Sequence, residues 1–467
     1  MSAILPTHAN ESTPLLRQNG SAPREPSVPQ TFSQRVGAFL NPAAHGEPGW
    51  LHSYKFFFFG SWLNILLIAV PLSAVAHYSN WDAGLRFSFS FIAIMPLAAL
   101  LGTATDQLSM KLGQTLSGLL NASFGNAVEI IVGIAALLQD EMRIVQTSLL
   151  GSILSNLLLV LGCSFVAGGI YYSEGRFQAT AAQAASSLMT LACITLVIPA
   201  AYHSSKSHAG GIDDTTILIT KQVIDGSDLP EEYNNGLRII SRGTAILLLL
   251  VYIAYLFFQL KTHAHLFTPK GLPAGEDEEP TAEGARAEHH EEEQEEPEMS
   301  IGAAAVALLL VTVVTSFCAD YLVASIEETA ERYHIPKPFI GLILLPIVAN
   351  AAEHVTSVWM AMKNKMELTI GICVGSSIQI AAFVVPLLVI VGWITHHDLT
   401  LFFADFETIV LFVSVLLVNF LVQDGKSNYM EGLMLLTLYL VIALACMLFS
   451  FISWQIFSNL RILVWVS

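Results

Sequence analysis

Two short stretches, Gly125-Asn126-Ala127-Val128-Glu129 and Ala349-Asn350-Ala351-Ala352-Glu353, each place one carboxylate inside a helix-length apolar segment. A charged side chain at the centre of a bilayer costs about 2.5 to 3.5 kcal/mol on the mildest scales, so an acid kept there points to a site. A lone glutamate in an apolar run also has a structural reading, as the partner of a serine or histidine. These two, however, are related by their spacing. Glu129 is followed 22 residues later by Gly151-Ser152-Ile153-Leu154-Ser155-Asn156, and Glu353 is followed 22 residues later by Gly375-Ser376-Ser377-Ile378-Gln379. The intervals from Glu129 to Glu353 and from Gly151 to Gly375 are both 224 residues, the pattern of a chain built from two homologous halves.

Water is not the main solvent of such a chain. Of its 467 residues, 54% are hydrophobic and 13% charged, with a mean hydropathy of +0.59. Apolar runs long enough for a membrane helix, about 20 residues, recur throughout, and the short alternating strands of a membrane barrel are absent. The expected fold is therefore an all-α polytopic membrane protein. Eleven spans are predicted, near 56–77, 85–105, 113–138, 144–170, 179–202, 239–261, 300–325, 338–362, 367–393, 406–422 and 430–453. The first has no mate in the repeat, giving one extra N-terminal helix (51–78) plus two five-helix repeats (84–262 and 300–453). An odd number of spans per repeat inverts the second relative to the first.

The remaining segments are a tail (1–50), a linker (263–299) and a terminal stretch (454–467). The tail is rich in Pro, Ser, Gln and Asn and is expected to be disordered, without a cleavable signal peptide. It contains Glu11-Ser12-Thr13-Pro14-Leu15-Leu16, which fits an acidic dileucine signal read by cytosolic sorting adaptors. Of the net charge of −17, the run 276–298 contributes most, with twelve acids and one arginine. Its plain reading is a solvated, self-repelling linker; its sharper one is a surface that concentrates divalent cations. Lys and Arg in the short loops place the tail and linker in the cytosol and the last segment opposite. No basic patch points to nucleic acid, and Cys163, Cys193, Cys318, Cys373 and Cys446 lie in apolar spans as packing residues.

Carboxylate, amide, hydroxyl and backbone carbonyl are all oxygen donors, which favour a hard cation such as calcium. Gly125, Gly151 and Gly375 are expected to let helices loosen and free carbonyls for an ion, with Pro346 doing the same in the second half. The two central acids carry a formal charge of −2, which one divalent cation or two protons neutralise. Desolvation favours the neutral form of an empty carboxylate, so protons compete with the cation, and calcium/proton antiport is the economical expectation. His354 lies about 100° round the helix from Glu353 and has Ile130 as its mate, which favours packing over ligation. Asp106 and Asp320 close the first helices of the two halves and are candidate gate residues, with a solvated helix end as the plainer reading.

These motifs resemble the two signature repeats of the cation/proton exchanger family within the calcium/cation antiporters, most closely its fungal vacuolar members. The resemblance covers roughly residues 55–453 without the linker. It implies alternating access with the two glutamates facing each other at mid-membrane, and transport of calcium from the cytosol into a vacuole against protons. Glu129 and Glu353 then bind calcium and protons in turn. Asn126, Ser155, Asn156, Asn350, Ser376, Ser377 and Gln379 support them, in an asymmetric site because Ser155 and Asn156 align with Gln379 and Ile380. Calcium and protons are the transported ions, membrane lipid is the surrounding partner, and neither an enzyme activity nor a cofactor is expected. A sodium- or manganese-preferring exchanger and a calcium channel are the alternatives.

Overall fold

The computed structural model describes residues 48–209, 231–263 and 297–466. The dileucine stretch at Glu11, Leu15 and Leu16 and the run of acids from 276 to 296 lie outside the described residues. Among the described residues, the regular structure is helical apart from a two-stranded antiparallel ladder of Gly175–Arg176 (β1) with Lys426–Ser427 (β2). Seven helices among the described residues are long and apolar enough to cross a membrane, and three bent pairs reach that length together.

The first bent pair is α1 (Trp50–Phe59) with the tight turn Trp62–Ile68 leading into α2 (Ala69–Tyr78), and the two arms meet at 87°. The continuous span expected over 56–77 is therefore broken at Gly60 and Ser61. Asn64 explains the break: its Nδ2 donates to the carbonyls of Phe57 and Phe58, both at 3.0 Å, capping the end of α1.

Helix α3 (Ala83–Phe124) keeps its helical hydrogen bonds over 42 residues, where two spans separated by a loop were expected. It is nevertheless folded on itself. Ser109 Oγ donates to Asn121 Oδ1 at 2.9 Å, whereas twelve residues of straight helix would separate them by about 18 Å. The axis therefore turns sharply between these residues, near the expected loop. Its continuation α4 (Ala127–Leu138) follows a 44° bend. Then come α5 (Met142–Leu154), α6 (Leu161–Tyr171), α7 (Ala179–Ala209) and α8 (Glu231–Phe257).

The second half opens with α9 (Ile301–Tyr333), whose packing along α3 is the most extensive helix pairing in the molecule. It continues with α10 (Leu345–Ala349), α11 (Ala351–Met362) after a 58° bend, α12 (Met366–Gln379), α13 (Val385–Thr395), α14 (Asp405–Leu421) and α15 (Tyr429–Val466). Helices α4 and α11 have the same 12-residue length and stand in register at the interval of 224. So do two widened turns: Leu161 N–H bonds Asn156 O and Val385 N–H bonds Ile380 O, each five residues back. Such turns concentrate at functional sites.

Contacts between the halves are reciprocal at this interval. Ser164 Oγ meets Ser357 Oγ at 2.9 Å, and at the corresponding positions a Cβ on Gly133 would lie 2.5 Å from Leu388 Cδ1. A Cβ on Gly168 would lie 3.3 Å from Ala361 O, and one on Gly392 would lie 3.5 Å from Leu137 Cδ1.

Polar contacts sort the connections into two ends of the bundle. One end joins Asp82 to Arg332 (2.6 Å), Lys337 to Glu327 and Glu141 (3.0 and 3.4 Å), Arg143 to Glu407 (2.6 Å) and Arg238 to Asp398 (2.5 Å). The other end carries the β1–β2 ladder with Lys426–Glu174 (2.6 Å), Met299 N–H on Gln107 Oε1 (3.0 Å) and Ser300 N–H on Ser53 Oγ (3.2 Å). Successive connections alternate between the two ends, as helices that each cross the bundle require.

At the first end, Tyr333 Oη donates to Asp82 Oδ1 at 2.8 Å. This hydroxyl, followed by the Gly84 amide, Arg332 and Arg86, holds the Asp82 carboxyl below its usual range. A carboxyl held low stabilises the fold at pH above its unfolded value, and that contribution is lost as the pH falls through the lowered value. Tyr333→Phe is expected to move the onset of acid destabilisation upward, toward about pH 3.9. Thermal unfolding of the detergent-solubilised chain across acid pH checks this, and superimposable wild-type and variant profiles would contradict it.

Candidate functional site

Both glutamates sit in the first turn of a helix that begins at a break. Asn126 (φ −116°, ψ 36°) and Asn350 (φ −88°, ψ 16°) are the break residues, and α4 and α11 restart at Ala127 and Ala351. The first turn of a helix has free N–H groups and the positive end of the helix dipole, so a carboxylate there is favourably placed. Glu129 is 6% exposed, Asn126 and Asn156 are fully buried and Asn350 is 1% exposed, while Glu353 and Gln379 are half-buried.

The two breaks interlock across the halves. Ser376 Oγ donates to Asn126 Oδ1 at 2.8 Å, and Asn350 Nδ2 donates to the carbonyl of Ser152, the residue equivalent to Ser376, at 3.1 Å. Asn126 Nδ2 also donates to Gln379 Oε1, and Asn156 Nδ2 donates to Ser376 Oγ at 3.0 Å. Asn126, Asn156, Ser376 and Gln379 thus form one hydrogen-bonded string, and Asn350 is tied to Ser152, with Asn126 and Asn350 each three residues ahead of a glutamate.

Five oxygens at the expected positions are buried without a hydrogen-bond partner: Glu129 Oε1, Glu353 Oε2, Asn156 Oδ1, Asn350 Oδ1 and Ser155 Oγ. Unpaired buried acceptors are rare and call for a ligand. Beside Glu129 lies a cavity of about 20 Å³, lined among others by Ser148, Ser152 and Val348 and by Ile94 of α3 and Leu322 of α9. That is room for about one water-sized occupant. Among the described residues, no cluster of three or more His, Cys, Asp or Glu forms a separate metal centre.

Two expected members face elsewhere. Ser377 Oγ donates to Cys373 O within its own helix at 2.8 Å. Ser155 lies beside the Tyr439 hydroxyl of α15. One helical residue is about 100° of rotation, which separates Ser155 from Asn156 and Ser377 from Ser376. Asp106 is exposed on α3. Asp320, also exposed, accepts from Gln139 Nε2 at 2.6 Å at the opposite end of the bundle. His354 is half-buried, and its backbone N–H bonds Asn350 O at 2.9 Å.

The glycines need correction. Gly125 does stand at a break, but Gly151 and Gly375 lie within regular helix. Gly151 serves close approach instead: a Cβ there would lie 2.3 Å from Leu342 O and 2.5 Å from Pro346 Cγ. The loosening occurs a few residues later, at the widened turns from Ser155 and Ile380. A third such turn precedes Pro346, where Leu345 N–H bonds Ile340 O five residues back. Ser148 and Ser152 were missed as lining residues, although Ser152 is the mate of Ser376 and the interval points to it.

With this geometry described, the comparisons with known proteins decide the lineage. The family described as "Sodium/calcium exchanger protein" matches residues 83–261 and 303–448. The chain belongs to the sodium/calcium exchanger family. The two matched stretches of this exchanger correspond to its two halves. It is 44% identical over 388 residues to a vacuolar calcium ion transporter of Schizosaccharomyces pombe, covering 82% of this chain and 84% of that protein. It is 40% identical over 395 residues to vacuolar cation/proton exchanger 3 of Oryza sativa subsp. japonica, covering 84% and 87%. The solved structure of native YfkE superimposes with a TM-score of 0.63 at 32% identity, covering 83% of this chain and 99% of that one.

The glycine geometry makes opposite demands in the two halves. Gly151→Ala must displace backbone of the facing half and is expected to cost about 1–3 kcal/mol of stability. Gly375, with nothing within 4 Å of a Cβ, is expected to accept alanine with a gain of about 0.5–1 kcal/mol. Denaturant unfolding of both variants checks the contrast, and equal effects would refute it.

Proposed function

We propose that this exchanger is a secondary active antiporter that moves calcium out of the cytosol into an acidic vacuole in exchange for protons. The unpartnered oxygens at Glu129, Glu353, Asn156 and Asn350 carry this reading. They form a set of hard donors with a formal charge of −2, suited to one calcium ion or two protons in turn. With no third carboxylate grouped among the described residues, charge balance favours protons over several sodium ions. The names of the fungal and plant relatives, a vacuolar calcium ion transporter and a vacuolar cation/proton exchanger, support the same assignment and membrane.

The architecture is read as eleven spans. The seven long helices and three bent pairs make ten, and the 17-residue α14 is the eleventh. One extra helix then precedes two five-helix repeats of inverted topology. Reciprocal contacts at the interval of 224, with connections alternating between the two ends, support a two-fold pseudo-axis through the site. The N-terminus and the acidic linker would lie in the cytosol, on the side of the β1–β2 ladder.

The cycle is alternating access. Cytosolic calcium displaces protons from the two glutamates, the site closes on one side and opens to the other, and lumenal protons release the calcium. The cavity between the α3–α9 pair and the remaining helices is where such a movement would expose the site. Asp106 and Asp320, at opposite ends of the bundle, are the candidate gates.

In reconstituted vesicles, a proton gradient is expected to drive calcium uptake, with Glu129→Gln and Glu353→Gln each abolishing it while preserving the folded protein. Driving uptake by a sodium gradient instead, or calcium flux that persists after the pH gradient is collapsed, would overturn proton antiport.

A further inference from the structure

The two asparagines at the helix breaks occupy equivalent positions but are held differently. Asn126 is engaged at both ends of its amide, accepting from Ser376 Oγ at 2.8 Å and donating to Gln379 Oε1. Asn350 donates to Ser152 O at 3.1 Å, and its Oδ1 is buried without a partner. The cause lies 224 residues from Gln379. Reciprocity would have residue 155 hold Asn350 as residue 379 holds Asn126, but a serine stands there, beside the Tyr439 hydroxyl, and Asn350 Oδ1 is left without a partner. Serine is shorter than glutamine by a methylene and an amide group.

The bonds that start at Gln379 also have a direction. Asn156 Nδ2 donates to Ser376 Oγ, Ser376 Oγ donates to Asn126 Oδ1, and Asn126 Nδ2 donates to Gln379 Oε1. Every donor points toward Gln379, so the string turns the Asn156 amide nitrogen inward and leaves its Oδ1 as the free end.

We propose that Gln379 is a positioning residue that makes the ion site one-sided. It commits Asn126 to a supporting role and leaves Asn350 and Asn156 as the amide ligands beside the two glutamates. Calcium takes oxygen ligands at about 2.3–2.6 Å, and an amide oxygen that accepts no hydrogen bond is the better donor. The site therefore has four principal side-chain oxygens: Glu129 Oε1, Glu353 Oε2, Asn350 Oδ1 and Asn156 Oδ1. This inference rests on the calcium reading of the site.

The test is calorimetric titration of the purified full chain with calcium alone, so that proton coupling does not enter. Asn350→Ala is expected to weaken binding by about tenfold or more. Asn126→Ala and Gln379→Leu are expected to weaken it less and by similar factors, and their double variant no further, because the two residues act as one unit. Asn350→Ala and Gln379→Leu combined should multiply their separate effects. In a second variant, Ser155→Gln supplies the missing partner and is expected to weaken calcium binding by engaging the Asn350 oxygen. Asn126→Ala as damaging as Asn350→Ala, with factors that multiply in the Asn126/Gln379 pair, would overturn the proposal. So would unchanged or tighter binding in Ser155→Gln. A wild-type chain that binds no calcium refutes the exchanger reading and this inference together, whereas calcium binding with multiplying factors refutes the inference alone.

Discussion

Two carboxylates enclosed by apolar helices need compensation that water would otherwise provide, and the surrounding structure is arranged to supply it. Breaking a helix just ahead of each glutamate turns free N–H groups toward the acid without exposing them to lipid. The residue at each break is an asparagine, and its buried amide needs partners. The partners come from the opposite half. Charge compensation at the centre thus fixes the relation between the halves, and their mutual packing follows from it.

That relation also accounts for where small residues occur. Gly133, Gly151, Gly168 and Gly392 each stand where a side chain or backbone of the other half comes within van der Waals distance of their missing Cβ. Removing side chains at crossings is the usual route to tight helix packing in a bilayer, where the hydrophobic effect gives helices little reason to associate. Among the described residues, most ionic contacts lie at one end of the bundle, where Lys337 is shared between Glu327 of α9 and Glu141 at the start of α5.

Much of this was legible in the chain because a repeat with fixed offset carries three-dimensional information. The interval of 224 paired the two glutamates, their asparagines and the Gly-Ser motifs that follow, whereas the widened turns lie a few residues beyond the glycines expected to loosen. Features that depend on rotation or on long-range contact were not legible. Spacing alone could not say whether Ser155 or Asn156, or Ser376 or Ser377, faces the site, since adjacent helical residues differ by about 100°. Gly151 and Gly375 looked alike in sequence, yet one fills a crossing and the other stands open, which depends on the facing helix. The bend at Gly60 rests on a single side chain, Asn64, reaching back to two carbonyls, whereas the fold in α3 falls near the loop expected between 105 and 113.

Reciprocity between the halves has a consequence in time. Every partner that Asn126 and Glu129 use in the second half is encoded more than 200 residues later than they are. At a synthesis rate of about 5–20 residues per second, the first glutamate waits roughly ten to forty-five seconds before its counterpart has been made. During that interval the first half carries a buried acid and an amide without their final partners. A chain truncated between the repeats would remain in that condition, and its unpaired polar groups would be what membrane quality control meets.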